Sequence, residues 1–313
     1  MTAAPEGGGA AAPAAGGAAA LAGRSSRPAA HRRLSLNQAT IKHAGLADAL
    51  RVTRAAGIGA IGLWREPVAA VGLDQACRLV ADSGLRVTSL CRGGFFTGPA
   101  GPARRAAIDD NRRAIEETAA LAAAGAPGGA PVLVLVAGGL PPGDRDLVAA
   151  RERARDAVAE LVDDALAAGV VLALEPMHPM FAADRGVLST LGQALELAEQ
   201  FPAAAVGVVV DAYHVWWDPA LPGQLDRAGR GGRIASYQVG DWTTPLGPDV
   251  LLSRGLPGEG HIDLPALSAA VEAAGYRGDV EVEVFNAALW ADDPAAVAAR
   301  TAVAFARAGV TGG

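Results

Sequence analysis

Short apolar segments alternate with longer stretches of helical periodicity along most of this chain. Eight runs of four to seven residues are rich in Val, Leu and Ile, and the stretches between several of them repeat apolar residues at helical spacing. The runs cover residues 34–37, 58–64, 85–91, 131–137, 170–175, 206–211, 233–238 and 280–285. This order predicts a series of strand–helix units with parallel strands.

The predicted helices cover residues 46–56, 73–83, 103–124, 145–168, 191–199 and 264–274. Five of them are followed by glycine, the residue that most often ends a helix, at Gly57, Gly84, Gly125, Gly169 and Gly275. The eight units average about 35 residues, close to the repeat of a barrel of roughly 250 residues. The pattern therefore predicts an α/β fold, a single (β/α)8 TIM barrel.

An open, doubly wound sheet is the competing fold. It would usually carry a glycine-rich phosphate-binding turn after its first strand, whereas here that turn is residues 37–40, Asn-Gln-Ala-Thr. Glycine pairs do follow the third and fourth predicted strands, at residues 93–94 and 138–139. We interpret them as relief of backbone crowding at a barrel rim, which favours the barrel.

Residues 1–30 are almost entirely Ala, Gly and Pro, and after Met1 their one bulky apolar residue is Leu21. We expect a disordered tail there, followed by one catalytic barrel domain over residues 31–313. The first basic residue, Arg24, follows the alanines, whereas a secretory signal begins with positive charge. No later stretch offers 18 uninterrupted apolar residues, so we expect no membrane span.

Composition narrows the function further. Apolar residues make up 51% of the 313, and the net charge is −6, which argues against a nucleic-acid partner. Cys77 and Cys91 are too far apart in sequence for a paired motif, so we expect a reducing, cytoplasmic location. Lys42 is the single lysine, and we therefore expect no lysine-based covalent catalysis.

Polar residues end the last four predicted strands. They are Glu175, Asp211, Gln238 and Glu283, and the active site of a barrel lies at the carboxyl ends of its strands. Glu281 shares a strand face with Glu283, which we favour because it lies nearer the end of the strand. For any one of them, capping a helix or pairing with an arginine is an equal alternative, but four on successive strands favour one shared site.

Three carboxylates and an amide in a mostly apolar mouth would repel and desolvate one another unless a cation lay among them. We therefore expect one divalent ion, held by Glu175, Asp211, Gln238 and Glu283. Oxygen ligands favour a hard ion such as Mn²⁺ or Mg²⁺ over zinc.

Two histidines follow proposed ligands by three residues, His178 after the fifth strand and His214 after the sixth. We expect them to hydrogen-bond substrate hydroxyls, with direct metal ligation the weaker alternative. Arg254, in the long glycine-rich loop 241–263, is a candidate clamp for a carboxylate or phosphate, although a solvated arginine fits as well. Trp64 and Arg92, at the ends of the second and third strands, are weaker candidates.

The same strand ends carry a set of motifs that resembles the sugar phosphate isomerase/epimerase family of xylose isomerase-like barrels. The motifs, in order, are Leu-Glu-Pro at 174–176, Asp-x-Tyr-His at 211–214, Tyr-Gln-Val-Gly-Asp-Trp at 237–242, Pro-Gly-Glu-Gly-His-Ile-Asp at 257–263 and Glu-Val-Glu-Val-Phe-Asn at 281–286. The resemblance covers about residues 33–310.

This resemblance implies that Glu175, Asp211, Gln238 and Glu283 bind the metal, and that Glu175 and Glu283 also act as acid and base. It implies that His214 contacts substrate oxygens. Many members have histidine where this chain has Gln238, whereas hydroxypyruvate isomerase-like members use glutamine there, so the resemblance supports metal binding and leaves the substrate open. The endonuclease branch binds several zinc ions with several histidines, and five histidines in an acidic chain argue against it.

The expected chemistry is metal-assisted proton transfer next to a carbonyl through an enediolate, on a small sugar or related keto compound. Returning the proton to the other face gives epimerisation, and returning it to the neighbouring carbon gives isomerisation. One alternative is a lyase of the same fold, similar to inosose dehydratases or C-glycoside-cleaving enzymes, which would expel a β-leaving group. The other is a sugar-binding barrel without catalysis. A homo-oligomer is compatible with the sequence.

Overall fold

The computed structural model describes residues 32–310, so the predicted tail at residues 1–30 lies outside the described residues. The strands are β1 (Leu34–Asn37), β2 (Ala60–Trp64), β3 (Arg86–Gly94), β4 (Val132–Val136), β5 (Val171–Leu174), β6 (Val206–Asp211), β7 (Ile234–Val239), β8 (Asp241–Trp242), β9 (Arg254–Gly255) and β10 (Val280–Val282). Eight of them close into a parallel barrel in chain order, with β10 pairing with both β7 and β1. The predicted (β/α)8 barrel is confirmed.

Strands β8 and β9 are additional and pair with each other, antiparallel, outside the barrel. The helices are α1 (Leu46–Ala55), α2 (Arg65–Val71), α3 (Leu73–Ser83), α4 (Pro102–Ala124), α5 (Leu147–Ala159), α6 (Val162–Ala168), α7 (Leu191–Ala198), α8 (Ala212–Val215), α9 (Leu221–Arg230), α10 (Leu264–Ala273), α11 (Ala287–Ala291) and α12 (Pro294–Arg307). Within residues 32–310, no helix combines the length and apolar character that a membrane crossing requires.

The single helix predicted over residues 145–168 is wrong. The chain forms α5 and α6 instead, separated by Glu160 and by Leu161, whose side chain is fully buried at the break. Helix starts follow ordinary capping chemistry: Asp146, Thr190 and Asp293 each accept a hydrogen bond from a backbone N–H in the first turn of α5, α7 and α12.

Alternation along the strands separates two buried layers. In β6, Val208 and Val210 pack in the large core that includes helix residues, whereas Val209 points the other way into a cluster inside the barrel. The other buried members of that inner cluster are Cys91, Val132, Val134 and Ala173. Two-residue periodicity therefore turns Asp211, two positions after Val209, toward the barrel axis at the end of β6.

Candidate metal and active site at the barrel mouth

The carboxyl ends of neighbouring strands surround a cavity of about 280 Å³. Glu175 follows β5, Asp211 ends β6, Gln238 lies near the end of β7 and Glu283 follows β10, and all four side chains are buried. Glu175 and Glu283 line the cavity. The strand ends thus deliver three carboxyl groups and one amide to the same end of the barrel.

The structure brings Glu175, Asp211 and His214 closest together. Each offers one ligand atom, and these three atoms all lie within 4.8 Å of one another. A cation with ligand distances of about 2.0–2.6 Å can bridge atoms at such separations. Glu283 lies outside this group and is linked to Asp211 through an arginine.

Asp211 uses its two oxygens differently. Oδ1 accepts a hydrogen bond from the backbone N–H of Tyr213 at 2.9 Å and caps the short helix α8. Oδ2 lies 3.3 Å from Nη1 of Arg254 and 3.6 Å from Nε2 of His214. The helix-capping alternative is therefore correct for one oxygen, while the other faces the site.

Arg254 lies among the carboxylates and is not a solvated loop residue. The residue is 1% exposed, and its Nη1 also donates to Oε2 of Glu283 at 3.0 Å. The backbone of β9 is fixed beside the residues that follow β10, because Arg254 N donates to Phe285 O and Asn286 Nδ2 donates to Arg254 O. The arginine predicted to clamp a substrate anion contacts the protein's own carboxylates here.

The electrostatics of this cluster favour an additional cation. Burial raises the pKa of Glu283 to about 8; Arg254 opposes the shift, while the charges of Asp211 and Glu281 add to it. Burial and then the charges of Glu283 and Asp211 raise the pKa of Glu175 well above its ordinary value. Burial also raises the pKa of Asp211, against the opposing charge of Arg254. One arginine does not offset the cost of ionising three buried carboxyl groups.

Gln238 contributes a free acceptor. Its Nε2 donates to Oε1 of Glu281 at 3.0 Å, and its Oε1 is buried without a hydrogen-bond partner. A buried acceptor left unpaired costs about 1–3 kcal/mol, a cost that a cation ligated by this oxygen would remove. The oxygen-rich donor set and this unpaired oxygen both fit a divalent ion.

His214 fits the hydrogen-bonding role better than the ligand role. Both ring nitrogens already face protein donors: the backbone N–H of His178 points at Nδ1 at 3.1 Å, and Nη2 of Arg254 lies 3.1 Å from Nε2. Burial, followed by the charge of Arg254, lowers the pKa of His214 well below its ordinary value, which keeps the ring neutral. A neutral imidazole accepts at one ring nitrogen only, so His214 cannot accept from both His178 N and Nη2 of Arg254.

The side chain of His178 is not among the described residues that line the cavity. Its ring packs against Trp217 and Trp242, with centroid distances of 5.5 and 5.0 Å, and its Nδ1 accepts a hydrogen bond from Met180 N. Its backbone N–H, which orients His214, is its contact with the site.

Three positively charged side chains line the cavity that the sequence either did not predict there or, for Arg92, indicated only as a weaker candidate. Lys42, Arg92 and Arg185 all line it together with Trp64. Lys42 follows the first barrel strand and Arg92 lies near the end of the third, so the same strand-end rule would have found both.

Sequence and structure comparisons agree on the fold family. A family described as xylose isomerase-like TIM barrel matches residues 50–308. A solved structure of a Sinorhizobium meliloti 1021 protein is 46% identical, with a TM-score of 0.83 over 88% of this chain and 98% of that one. The IOLI protein, solved with a bound zinc atom, has 23% identity and a TM-score of 0.74 over 89% of this chain and 98% of that one.

Curated relatives match over shorter segments. The inosose isomerase of Bacillus subtilis strain 168 is 32% identical over 133 residues, which cover 42% of this chain and 46% of that protein. A 3-dehydroshikimate dehydratase of Pseudomonas putida is 32% identical over 103 residues, which cover 32% of this chain and 16% of that protein. Both matches span less than half of the relative.

Proposed function

Because the chain belongs to the xylose isomerase-like TIM-barrel family, we propose that it is a divalent-metal-dependent isomerase or epimerase of a small sugar-derived ketone. The proposed reaction moves a proton at the carbon next to the carbonyl, through an enediolate. The observation that carries the proposal is the convergence of three buried carboxyl groups at the barrel mouth: Glu175 lies beside Asp211, and Arg254 links Asp211 to Glu283. Similarity to an inosose isomerase supports the reaction class.

Glu175, Asp211, Gln238 and Glu283 would hold the ion. Their oxygen donors favour Mn²⁺ or Mg²⁺, and zinc is the ion to compare because the similar IOLI protein binds it. When bound, the ion supplies a positive charge that polarises the substrate carbonyl and stabilises the negative charge formed on proton removal.

Glu283 and Glu175 are the proposed acid and base. Both line the cavity, so either carboxyl group can reach a substrate held there. Glu175, which follows β5, would serve the second face of the substrate.

Arg254 and His214 would orient the reacting groups. Arg254 holds the Glu283 carboxylate by its Nη1, which fixes the direction from which the proton is taken. Nη2 of Arg254 lies 3.1 Å from Nε2 of His214, so the same guanidinium also contacts the imidazole. Both side chains are buried, so neither bond competes with bulk water.

The test is proton exchange in deuterated water. Metal-loaded protein is incubated with a panel of ketoses and cyclic polyol ketones, and deuterium at the carbon next to the carbonyl is followed by NMR and mass spectrometry. We expect exchange without loss of a fragment, and loss of exchange in Glu283→Gln. Glu116→Gln, an identical change at an exposed position of α4, should exchange normally. Exchange that is equal in Glu283→Gln and wild type would contradict the assignment.

A lyase is the second candidate, because the chain is also similar to a 3-dehydroshikimate dehydratase. The same enediolate would then expel a β-substituent. Its product is lighter than the substrate by the mass of water or of another leaving group, so the same mass spectra separate the two reactions.

A further inference from the structure

Phe95 is an exposed aromatic residue in the wall of the cavity. It directly follows β3, lines the cavity and is 44% exposed. The other aromatic rings that line the cavity are better covered, since Phe285 is buried and Trp64 and Trp290 are partly buried. Exposure of a single apolar side chain is ordinary in proteins, but the backbone of Phe95 is not.

The backbone of Phe95 is in the left-handed region, with φ at 57°. It is the one residue other than glycine with a positive φ within residues 32–310. This conformation is exceptional for a bulky side chain, because it brings Cβ too close to the carbonyl oxygen that follows. Glycine or asparagine would adopt it at lower cost. The local backbone therefore disfavours phenylalanine at this position.

Neighbouring contacts hold Phe95 in this conformation from both sides. Before it, the side chain of Asn111 accepts from Gly94 N at 2.6 Å and donates to Gly94 O at 3.0 Å. Phe95 N donates to Val136 O at 2.9 Å, and the next residue, Phe96, is buried in the core. Strain that is fixed by its surroundings in this way is concentrated at ligand-binding and active sites.

Within the described chain the ring of Phe95 is covered on one face. The guanidinium carbon of Arg92 lies 4.3 Å from the ring centroid, and no second ring or cation of residues 32–310 stacks on Phe95. By contrast, Trp64 and Trp290 each pack edge-on against Phe285, with centroid distances of 5.6 Å. An arginine on one face leaves the opposite face of Phe95 as a flat apolar surface.

The size and lining of the cavity determine what can cover this face. A volume of about 280 Å³ holds one small molecule, and Glu175 and Glu283 line the same space as Phe95. A sugar or cyclitol ring carries hydroxyl groups around its edge and C–H groups on its faces, so its face suits an aromatic ring. An open chain rotates about its C–C bonds and presents no fixed apolar face.

We propose that Phe95 is a substrate-contact residue, whose open face packs on the C–H face of a substrate bound as a closed ring, a pyranose or a cyclitol. This deepens the proposed function and rests on it, because the bound ring is the substrate of the proposed isomerase. Contact with the substrate offsets the cost of the left-handed backbone. Phe95 sets the affinity and orientation of the ring and takes no part in proton transfer.

Fluorine on the phenylalanines reports binding without turnover. The chain has six phenylalanines, of which Phe95 and Phe285 line the cavity. Protein made with 4-fluorophenylalanine gives a ¹⁹F resonance for each ring, and the signals lost in Phe95→Tyr and in Phe285→Tyr identify these two. Mg²⁺-loaded protein is titrated with methyl β-glucopyranoside and with myo-inositol, whose rings cannot open, and with glucitol, which has no ring. We expect a saturable shift of the Phe95 resonance with at least one ring compound and none with glucitol.

Substitutions at Phe95 separate a binding role from a structural one. Asparagine adopts the left-handed conformation more readily, so Phe95→Asn should be as stable in urea as wild type. It should bind the ring compounds about three- to tenfold more weakly, as measured at the Phe285 resonance. Phe95→Tyr keeps the aromatic ring and should bind like wild type. Leu166→Asn, at a position of α6 that is 42% exposed, is the matched control and should not change binding.

Unchanged affinity in Phe95→Asn would overturn the proposal. If that variant also loses stability, the ring has a structural role, and if it changes oligomeric state, the ring contacts a second copy of the chain. Equal shifts with glucitol and the ring compounds, or no shift with either ring compound, would overturn it as well.

The readout also distinguishes this contact from the reaction. Ring-dependent shifts without any deuterium exchange refute the proposed reaction and keep the Phe95 contact. Exchange on the ketose panel with the same KM in wild type and Phe95→Asn refutes the contact alone. A higher KM in Phe95→Asn at a similar kcat supports both.

Discussion

The amide of Gln238 donates from Nε2 to Oε1 of Glu281 at 3.0 Å, and this bond fixes which way the amide points. The two residues are register partners on β7 and β10, so the contact follows from strand pairing. Glu281 also accepts hydrogen bonds from Asn37, Ser89 and Thr88. The buried carboxylate thus holds Gln238 with its unpaired Oε1 available to an ion.

We predict that Glu281→Gln destabilises the protein by about 3 kcal/mol, because an amide cannot accept from all of these donors and leaves buried groups unpaired. Urea unfolding of the metal-free protein measures this loss. The same variant should bind metal more weakly, since Gln238 is no longer oriented. Glu116→Gln is the control. Unchanged stability together with unchanged metal affinity would show that the bond positions nothing.

Metal content tests the ligand set directly. Protein loaded with Mn²⁺ and freed of excess ion should retain about one equivalent per chain. Glu175→Gln and Asp211→Asn should each retain much less, because each removes a negative ligand from the cluster of atoms within 4.8 Å. Elemental analysis gives the ratio. Wild-type protein that retains no ion would refute the site. A full equivalent of ion in both variants would show that the ion binds elsewhere.

Arg254→Met should destabilise the metal-free protein by about 3–5 kcal/mol at pH 8, because Asp211 and Glu283 lose their buried counter-charge. The loss should be smaller at pH 6, where protonation of the carboxyl groups removes the repulsion, and smaller again with metal bound. Arg300→Met removes an exposed pair with Asp292 and should cost less than about 1 kcal/mol. An equal loss for Arg254→Met at both pH values would contradict the electrostatic account.

Stability of the metal-free protein should fall as the pH rises. The pKa of Glu283 is about 8 in the folded protein against 4.5 ordinarily, so between these values the folded chain holds a proton that the unfolded chain has lost. Each such proton lowers the free energy of unfolding by about 1.4 kcal/mol per pH unit at the steepest point. Urea unfolding from pH 6 to pH 8 should show this slope in wild type and a flatter one in Glu283→Gln.

Bound metal should remove this dependence of stability on pH, because a cation stabilises the ionised carboxylates. Metal binding should also release protons into weakly buffered solution. A wild-type slope identical with and without metal would indicate that the ion does not bind at Glu283.

The two thiols should differ in reactivity. Burial, followed by the charges of Glu283, Glu281 and Glu175, raises the pKa of the Cys91 thiol well above its ordinary value. Cys77 is half-buried on α3, and burial raises its pKa as well. At pH 8 a thiol reagent should label Cys77 slowly in the native protein and Cys91 after unfolding. Rapid labelling of the remaining thiol, Cys91, in native Cys77→Ser would show that the interior opens readily.

Much of the barrel was predictable because its signals are local. Apolar runs such as residues 206–211 and glycines such as Gly84 and Gly169, both left-handed at helix ends, act within a few positions along the chain. The break between α5 and α6 escaped prediction, since Leu161 turns into a core formed by distant residues.

The sequence by itself determined the eight strands, their order and the four polar strand ends, because period-two alternation and the barrel rule decide which end collects them. Only the tertiary structure decided their partners. Arg254 is buried because the loop folds back over the barrel mouth. Asp241 pairs with Gly255, and the Asp241 carboxylate accepts hydrogen bonds from Gly258 N and Ile262 N. The contacts of Gln238 with Glu281, of His178 with His214, and of Lys42 with three aromatic rings join segments 22 or more residues apart. Such contacts depend on strand register and loop closure, which no local pattern of residues specifies.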